Sequence, residues 1–110
     1  DIDILVRPSL ENAENLTTAI ANFGFSSVGL AAADFLEPNR VIQLGLAPNR
    51  IDLLTSITGV EFEEVWQDRV PSELDGLPVH FIGRASLIKN KKATDRPQDK
   101  ADIEALGEKS

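Results

Sequence analysis

The first six residues alternate between charged and apolar side chains, and this pattern constrains the fold more than any other feature of the chain. They read Asp-Ile-Asp-Ile-Leu-Val. Because successive side chains of a β-strand point to opposite faces, the pattern predicts a strand whose buried face is made by Ile2, Ile4 and Val6. Asp1 and Asp3 then lie together on the opposite face. The chain is therefore expected to begin with a strand that is covered on one side.

A helix is predicted directly after this strand. Ser9 suits the N-cap position, because its hydroxyl can accept a hydrogen bond from a backbone N–H of the first turn. Apolar side chains then recur at helical spacing as far as Ile20, and Gly24 suits a helix end. Residues 31–35 are compatible with either a short helix or a loop.

Two hairpins and three more helices are predicted in the rest of the chain. Residues 41–46 and 50–55 are apolar runs joined by a turn that contains proline and asparagine, and they predict a β-hairpin. A weaker hairpin is predicted over residues 69–82, with an Asp-Gly turn. The predicted helices are a short segment after Gly59, residues 84–93 and residues 97–106.

The predicted helix over residues 97–106 has capping residues at its start and apolar residues on one side. Pro97 suits its first turn and Asp95 can cap it. Ile103 and Leu106 would be its buried residues. Together the elements predict one α+β domain over residues 1–110, with a small mixed β-sheet and flanking helices.

Composition limits the chemistry that this chain can carry out. The chain has 110 residues, enough for a single core, and it contains no cysteine. Disulfide scaffolds, cysteine zinc sites, iron–sulfur clusters and thiol nucleophiles are therefore excluded. The sequence has no signal-peptide pattern and no apolar run approaching the roughly 20 residues of a membrane span. We accordingly expect a cytoplasmic protein that does not contact a membrane.

Charge is distributed unevenly along the chain. A net charge of −7 disfavours nonspecific nucleic-acid binding. Residues 1–85 hold 5 basic and 13 acidic side chains, whereas residues 86–110 hold 6 basic and 5 acidic ones. The bases that lie closest together are Lys89, Lys91, Lys92 and Arg96. They form either a solvated helix face or a local anion site in an acidic protein.

Carboxylates on two predicted strands are the strongest candidates for catalytic chemistry. Asp1 and Asp3 lie about 6.6 Å apart along one strand. Asp52 lies within the apolar run Ile-Asp-Leu-Leu, where a charge is unfavourable unless it is paired or bound to a cation. If the two strands are neighbours, three carboxylates meet on one sheet face and can hold Mg²⁺. A pair of solvated aspartates is the alternative that the pattern alone leaves open.

Three segments of the chain together resemble a known family. DIDILV at residues 1–6, RIDLL at 50–54 and LIKNKKATDRPQDKADIEAL at 87–106 resemble the minimal nucleotidyltransferases of the polymerase-β superfamily, close to AbiEii-type bacterial toxins. The resemblance covers nearly the whole chain. It implies a nucleotidyltransferase-like fold and the transfer of an NMP from an NTP to a hydroxyl of an RNA, a protein or a small molecule.

The resemblance also implies roles for individual residues. Asp1 and Asp3 would be paired ligands of Mg²⁺ or Mn²⁺. Asp52 would be the third carboxylate, which shares a metal and activates the attacking hydroxyl. Lys91 and Arg96 would contact the phosphates of the nucleotide or the acceptor.

Two further carboxylates and the partners follow from the same resemblance. Asp99 and Asp102 would orient the two bases or cap the last helix. The implied partners are a nucleotide, a tRNA or protein acceptor and a cognate antitoxin, and a homodimer is one oligomeric state left open.

The chain departs from the family at its start. The family places a Gly-Ser or Gly-Gly turn before the paired aspartates, whereas this chain begins at Asp1 and contains no methionine. We therefore expect it to be part of a longer enzyme and to bind NTP weakly by itself. Two alternatives stay open. One is a catalytically silent domain that binds a partner, such as half of a toxin–antitoxin pair. The other is a metal-dependent glycosyltransferase with a D-x-D motif, whose fold would be longer and would not require Asp52.

Overall fold

The computed structural model describes residues 2–25, 30–46 and 48–107, and the chain divides into two compact units. The first unit spans residues 1–57 and the second spans residues 58–110. Both units combine helices with strands, so the coarse α+β prediction is confirmed. Among the described residues the strands form two small sheets, one in each unit, where the sequence predicts a single one.

The first unit is a three-stranded mixed sheet with helical segments. Its elements are β1 (Ile2–Leu5), α1 (Leu10–Ile20), a π-helical turn (Ala21–Phe25), a 3-10 turn (Ala32–Phe35), β2 (Val41–Leu44) and β3 (Ile51–Leu54). The strand order is β1-β3-β2. β3 pairs antiparallel with β2, as predicted for the hairpin, and parallel with β1. The parallel pair brings the start of the chain beside a strand about fifty residues later.

Helix α1 begins at the predicted cap, and it ends at Ile20, before the predicted stop at Gly24. Ser9 caps its start, since the Oγ atom of Ser9 accepts a hydrogen bond of 3.3 Å from the backbone N–H of Asn12. Beyond Ile20 the chain continues in a wider turn, where Gly24 has a φ angle of +94°. Glycine adopts this left-handed conformation without a steric cost, which explains why the helical path breaks there.

The core of the first unit lies between the helical segments and one face of the sheet. Phe35 and Ala13 are fully buried, and Ile42 and Leu53 are the sheet residues packed in the same cluster. Val6 also belongs to this cluster, as predicted. Ile20 and Leu44 are buried in the same cluster.

The predicted burial of the first strand is wrong for two of its three residues. Ile2 is 47% exposed and Ile4 is 42% exposed. The core cluster includes Ile42, Leu44 and Leu53 of the two other strands, and it does not extend to Ile2 and Ile4. Alternation predicts which way a side chain points, whereas packing from other parts of the chain decides whether anything covers it.

The second unit contains a short helix, a hairpin and two more helices. Its elements are α2 (Phe62–Gln67), β4 (Val70–Leu74), β5 (Leu77–Phe81), α3 (Arg84–Thr94) and α4 (Pro97–Ala105). The hairpin turns at Asp75 and Gly76, whose φ angles are +51° and +80°. Positive φ at both central residues is the mark of a type I′ turn, which matches the twist of two antiparallel strands. All the elements predicted in this part of the sequence are present.

The junction between α3 and α4 corrects one predicted cap. Asp95 does not cap α4. It ends α3 in a left-handed conformation with a φ angle of +50°, and its N–H donates to the carbonyl oxygen of Lys91. Arg96 is the N-cap residue of α4, and the carboxylate of Asp99 accepts a 3.0 Å hydrogen bond from its backbone N–H. Aspartate tolerates positive φ better than most residues, which suits Asp95 to the end of a helix.

In the described part of the chain, no helix is both long enough and apolar enough to cross a membrane.

Candidate functional site

Asp3 and Asp52 lie side by side on the sheet of the first unit. They are register partners across the parallel pair of β1 and β3, and Gln43 is the partner of Asp52 on β2. Residues paired in register project from the same face, and adjacent strands lie about 4.8 Å apart. The two carboxylates and the carboxamide therefore form a polar row across the sheet. This row is on the face opposite the one that carries Ile42 and Leu53 into the core.

Asp52 is buried, and its charge is compensated by Arg50. Asp52 is only 8% exposed. The Nε atom of Arg50 lies 2.8 Å from Oδ1 of Asp52, and Nη2 of Arg50 donates a 3.2 Å hydrogen bond to Oδ2. A buried carboxylate needs this kind of partner, because an uncompensated charge is strongly unfavourable away from water. The apolar residues around Asp52 predict that it needs a partner or a cation, and the structure supplies an arginine.

Of the three carboxylates predicted to form a group, Asp3 and Asp52 lie within the described residues. Asp3 is exposed, and Asp1 lies outside the described residues. Across residues 2–25, 30–46 and 48–107, no three His, Cys, Asp or Glu side chains are grouped so that they could hold a metal ion. Asp3 and Asp52 are thus the carboxylates that the described residues offer to a cation on this face.

Lys91, on α3 in the second unit, is held by carboxylates of α4. Its Nζ atom donates a 2.7 Å hydrogen bond to Oδ2 of Asp102 and lies 3.8 Å from Oδ1 of Asp99. Gln98 donates a 2.8 Å hydrogen bond to the other oxygen of Asp102. The side chain of Lys91 is one-fifth exposed, so its ammonium group is fixed between the two helices.

Arg96 and Asp99 form a second, tighter pair at the start of α4. Nε and Nη2 of Arg96 donate to the two oxygens of Asp99, at 2.8 Å and 3.2 Å. Asp99 is 1% exposed, and it also accepts a 2.6 Å hydrogen bond from the hydroxyl of Thr94. The side chain of Arg96 is 71% exposed, so its guanidinium group is anchored at one edge and open to solvent. An anchored, permanently charged fork of this kind suits phosphate oxygens.

These contacts shift the ionisation of both aspartates in the same direction. The hydrogen bonds from Arg96, and then from Thr94, hold the pKa of Asp99 far below its ordinary value. The bonds from Lys91, and then from Gln98, lower the pKa of Asp102. The bond to Asp99 raises the pKa of Arg96 further above its already high value. Asp99 and Asp102 therefore stay ionised and hold Arg96 and Lys91 in place.

Two of the residues that shape this chemistry are not among the residues predicted from the sequence. Arg50 was not singled out, although it lies two positions before Asp52 and directly before the strand, a spacing that places side chains on one face. Thr94 was also missed, and no local pattern points to it, because its bond to Asp99 crosses the break between two helices.

The chain matches no protein-family model, no curated protein and no solved structure. The assignment to the nucleotidyltransferases therefore stays a prediction that rests on the three segments quoted above. The structure adds the carboxylate row in the first unit and the anchored bases in the second.

Proposed function

We propose that this chain is a metal-dependent nucleotidyltransferase-like domain, which transfers an NMP from an NTP to a hydroxyl group of an acceptor. The observation that carries the proposal is the register of Asp3 with Asp52, which puts two carboxylates on one sheet face. Hard carboxylate oxygens are the ligands that Mg²⁺ and Mn²⁺ prefer. An exposed carboxylate beside a buried one also leaves one side of a bound cation open to a nucleotide.

The proposed reaction gives one role to Asp52 and another to a bound cation. The oxygen of the acceptor forms a bond to the α-phosphorus, the bond to the oxygen bridging to the β-phosphate breaks, and pyrophosphate leaves. The proton of the acceptor hydroxyl goes to a base, and Asp52 is the candidate. A bound divalent cation would neutralise the triphosphate and the charge that develops on it.

Arg96 and Lys91 support the same proposal from the second unit. Both are cations, and a nucleotide triphosphate in an acidic protein needs positive partners. Arg96 is the better candidate for phosphate, because its guanidinium group is exposed and already oriented by Asp99. Lys91 is more enclosed and is neutralised by Asp102, so its contribution would be smaller.

Titration calorimetry with Mn²⁺ tests the carboxylate site. We expect the unaltered chain to bind Mn²⁺ and Asp3→Asn to bind it at least tenfold more weakly. Glu14→Gln is the matched control, since it removes one exposed carboxylate from the same unit, on α1, and we expect its affinity to change less than twofold. Equal affinity in the unaltered chain and Asp3→Asn would contradict the proposal.

A second titration tests the nucleotide. Each NTP is added to the Mn²⁺-loaded chain, to Arg96→Gln and to Lys92→Gln, which removes a nearby exposed cation. We expect Arg96→Gln to weaken NTP binding at least fivefold and Lys92→Gln to leave it within twofold. Release of pyrophosphate in the presence of candidate acceptors then reports transfer itself.

One observation favours the alternative of a catalytically silent, partner-binding domain. Arg50 already neutralises Asp52, so this carboxylate is stable in the fold without any metal. On this alternative, neither the unaltered chain nor Arg50→Gln would bind Mn²⁺. If either protein binds Mn²⁺ and loses this binding when Asp3→Asn is introduced into it, the result would favour the enzyme.

A further inference from the structure

Arg50 borders the sheet face that carries Asp3 and Asp52. It lies directly before β3 and two positions before Asp52, so the two side chains share one face. Its guanidinium group contacts both carboxylate oxygens of Asp52, with Nε 2.8 Å from Oδ1 and Nη2 3.2 Å from Oδ2. Asp3 is the register partner of Asp52 on β1. A positive side chain thus lies next to the two carboxylates that would hold a cation.

The two contacts of Arg50 with Asp52 differ in kind. Nη2 of Arg50 donates a hydrogen bond to Oδ2. Oδ1 is shielded from water, and it accepts no hydrogen bond from residues 2–25, 30–46 or 48–107. Its contact with Nε is therefore an attraction between opposite charges without the direction of a hydrogen bond. A buried carboxylate oxygen in this condition is unfavourable, so Oδ1 is the atom on this face that gains most from a new ligand.

Arg50 is the member of this pair that can change its position. Its side chain is 32% exposed, whereas that of Asp52 is 12% exposed and belongs to the central strand of the sheet. The arginine side chain is long and has several rotatable bonds, so its guanidinium group can turn outward while its stem stays in place. A change of partner would therefore move Arg50 and leave Asp52 where it is.

Charge determines the direction of such a change. A divalent cation and a guanidinium group repel each other when both contact one carboxylate. Arg50 therefore separates from Asp52 more easily when a cation is bound to Asp3 and Asp52, and it then needs another anion. The planar fork of arginine matches phosphate oxygens. A triphosphate bound to the same cation brings such oxygens to this face.

We propose that Arg50 exchanges partners: it pairs with Asp52 when no cation is bound, and it contacts the triphosphate of the nucleotide when a cation is bound to Asp3 and Asp52. This inference rests on the proposed function, because it needs a cation on the carboxylate row. Arg50 is then a second phosphate contact besides Arg96, and it belongs to the same unit as the carboxylates. Because the pairing with Asp52 opposes the cation, Arg50 makes the binding of the cation alone weaker and that of the triphosphate tighter.

Titration calorimetry of Arg50→Gln separates these two effects, since they have opposite signs. Mn²⁺ is titrated first, and inorganic triphosphate is then added to the chain already saturated with Mn²⁺. We expect Arg50→Gln to bind Mn²⁺ at least threefold more tightly than the unaltered chain, because the competing side chain is removed. We expect it to bind triphosphate at least fivefold more weakly, because a phosphate contact is lost. A general loss of structure would instead weaken both steps.

Two further variants serve as controls. Arg40→Gln removes an arginine from the opposite end of β3, where Arg40 pairs with Asp34 and Glu37, and we expect both affinities to change less than twofold. Arg50→Lys keeps the positive charge without the planar fork. We expect it to recover part of the triphosphate affinity that Arg50→Gln loses.

NMR of the unaltered chain tests the exchange even if Arg50→Gln does not fold. The side-chain Nε–H signal of Arg50 is identified by its absence from the spectrum of Arg50→Lys. We expect this signal to shift when Mg²⁺ is added and to shift again when inorganic triphosphate follows. A signal that stays in place through both additions would overturn the exchange.

The results separate a failure of this inference from a failure of the proposed function. If Mn²⁺ binding is lost in Asp3→Asn, but Arg50→Gln changes neither affinity or changes both in the same direction, the exchange is wrong and the carboxylate site stands. If neither the unaltered chain nor Arg50→Gln binds Mn²⁺, both are wrong.

Discussion

Individual charged residues in this protein are fixed by one or two specific contacts each. Asp52 is stabilised by Arg50, and Asp99 is stabilised by Arg96 and Thr94. In both cases a buried carboxylate faces an arginine that is more exposed. The burial makes the contact necessary, because a carboxylate without a partner loses its hydration and gains nothing in return.

The pair of Arg50 and Asp52 predicts a specific pattern of stability. Arg50→Gln leaves the buried carboxylate without its partner, and we expect the free energy of unfolding to fall by about 1–3 kcal/mol. Adding Asp52→Asn should restore part of this loss, because the uncompensated charge is then removed as well. Urea unfolding of the two single variants and the double variant measures the coupling, with Lys92→Gln as the surface control. If the losses of unfolding free energy in the two single variants simply add up in the double variant, the pairing of Arg50 with Asp52 is contradicted.

The contacts of Asp99 and Asp102 predict how stability depends on pH. Both have a pKa below the ordinary aspartate value of about 3.9 that applies to the unfolded chain. The unfolded chain therefore takes up protons first as pH falls. The stabilisation is complete above about pH 5 and is lost progressively as pH falls below about 4.

Urea unfolding between pH 7 and pH 2.5 measures this loss. Asp99→Asn should have a shallower pH dependence than the unaltered chain, and Thr94→Val, which removes one of the bonds to Asp99, should fall between them. A pH dependence that is unchanged in Asp99→Asn would show that other groups cause the acid instability.

Most helices and strands are defined by signals in their own sequence, and contacts between neighbouring elements then fix where one ends and the next begins. The start of α3 is an example. The carboxylate of Asp68 accepts a 3.0 Å hydrogen bond from the backbone N–H of Ser86. Gly83, the N-cap residue, lies so close to Asp68 that an added Cβ atom would overlap both its carbonyl oxygen and its carboxylate. This position needs glycine for space, since its φ angle of −72° is open to any residue.

Two glycine variants separate crowding from backbone strain. Gly83→Ala crowds the backbone of Asp68, and we expect a loss of about 1–3 kcal/mol in the free energy of unfolding. Gly76→Ala, in the hairpin turn, meets nothing within 4 Å and has a φ angle of +80°, so it should cost about 1–2 kcal/mol from strain alone. Adding Asp68→Ala should relieve only part of the Gly83→Ala defect, because the carbonyl oxygen of residue 68 remains. Full relief would show that the side chain alone causes it.

At the scale of the whole molecule, the proposed chemistry divides between the two compact units. The carboxylate row belongs to residues 1–57, and the anchored bases belong to residues 58–110. In the proposal the carboxylates have the task of binding the cation and Arg96 has the task of contacting phosphate, so each unit has a role that can be tested by itself.

Paramagnetic Mn²⁺ tests the two roles. Mn²⁺ alone should broaden the amide signals around Asp3 and Asp52, because it binds the carboxylates of the first unit. Mn²⁺ together with an NTP should in addition shift the amide signals around Arg96. Shifts that stay confined to the first unit when NTP is present would contradict the assigned role of Arg96, and Arg96→Gln is the control that should remove them.

Local sequence signals predicted most of the elements correctly. The cap at Ser9, the turn at Asp75 and Gly76, and the break between α3 and α4 depend on residues within a few positions of each other. Such short-range preferences act in any fold, so they can be recognised without knowing the rest of the molecule. The error at Asp95 concerned the adjacent helix end, where several polar residues compete for the same cap.

The sequence by itself determined the alternation of β1, the positions of the helices and turns, and the presence of an aspartate inside an apolar strand. Only the tertiary structure decided that β1 pairs in parallel with β3, so that Asp3 meets Asp52, and that β1 is an edge strand with Ile2 and Ile4 exposed. It also decided that Arg50 compensates Asp52. The physical reason is that strand order and burial depend on contacts between distant parts of the chain, whereas periodicity and capping depend on near neighbours.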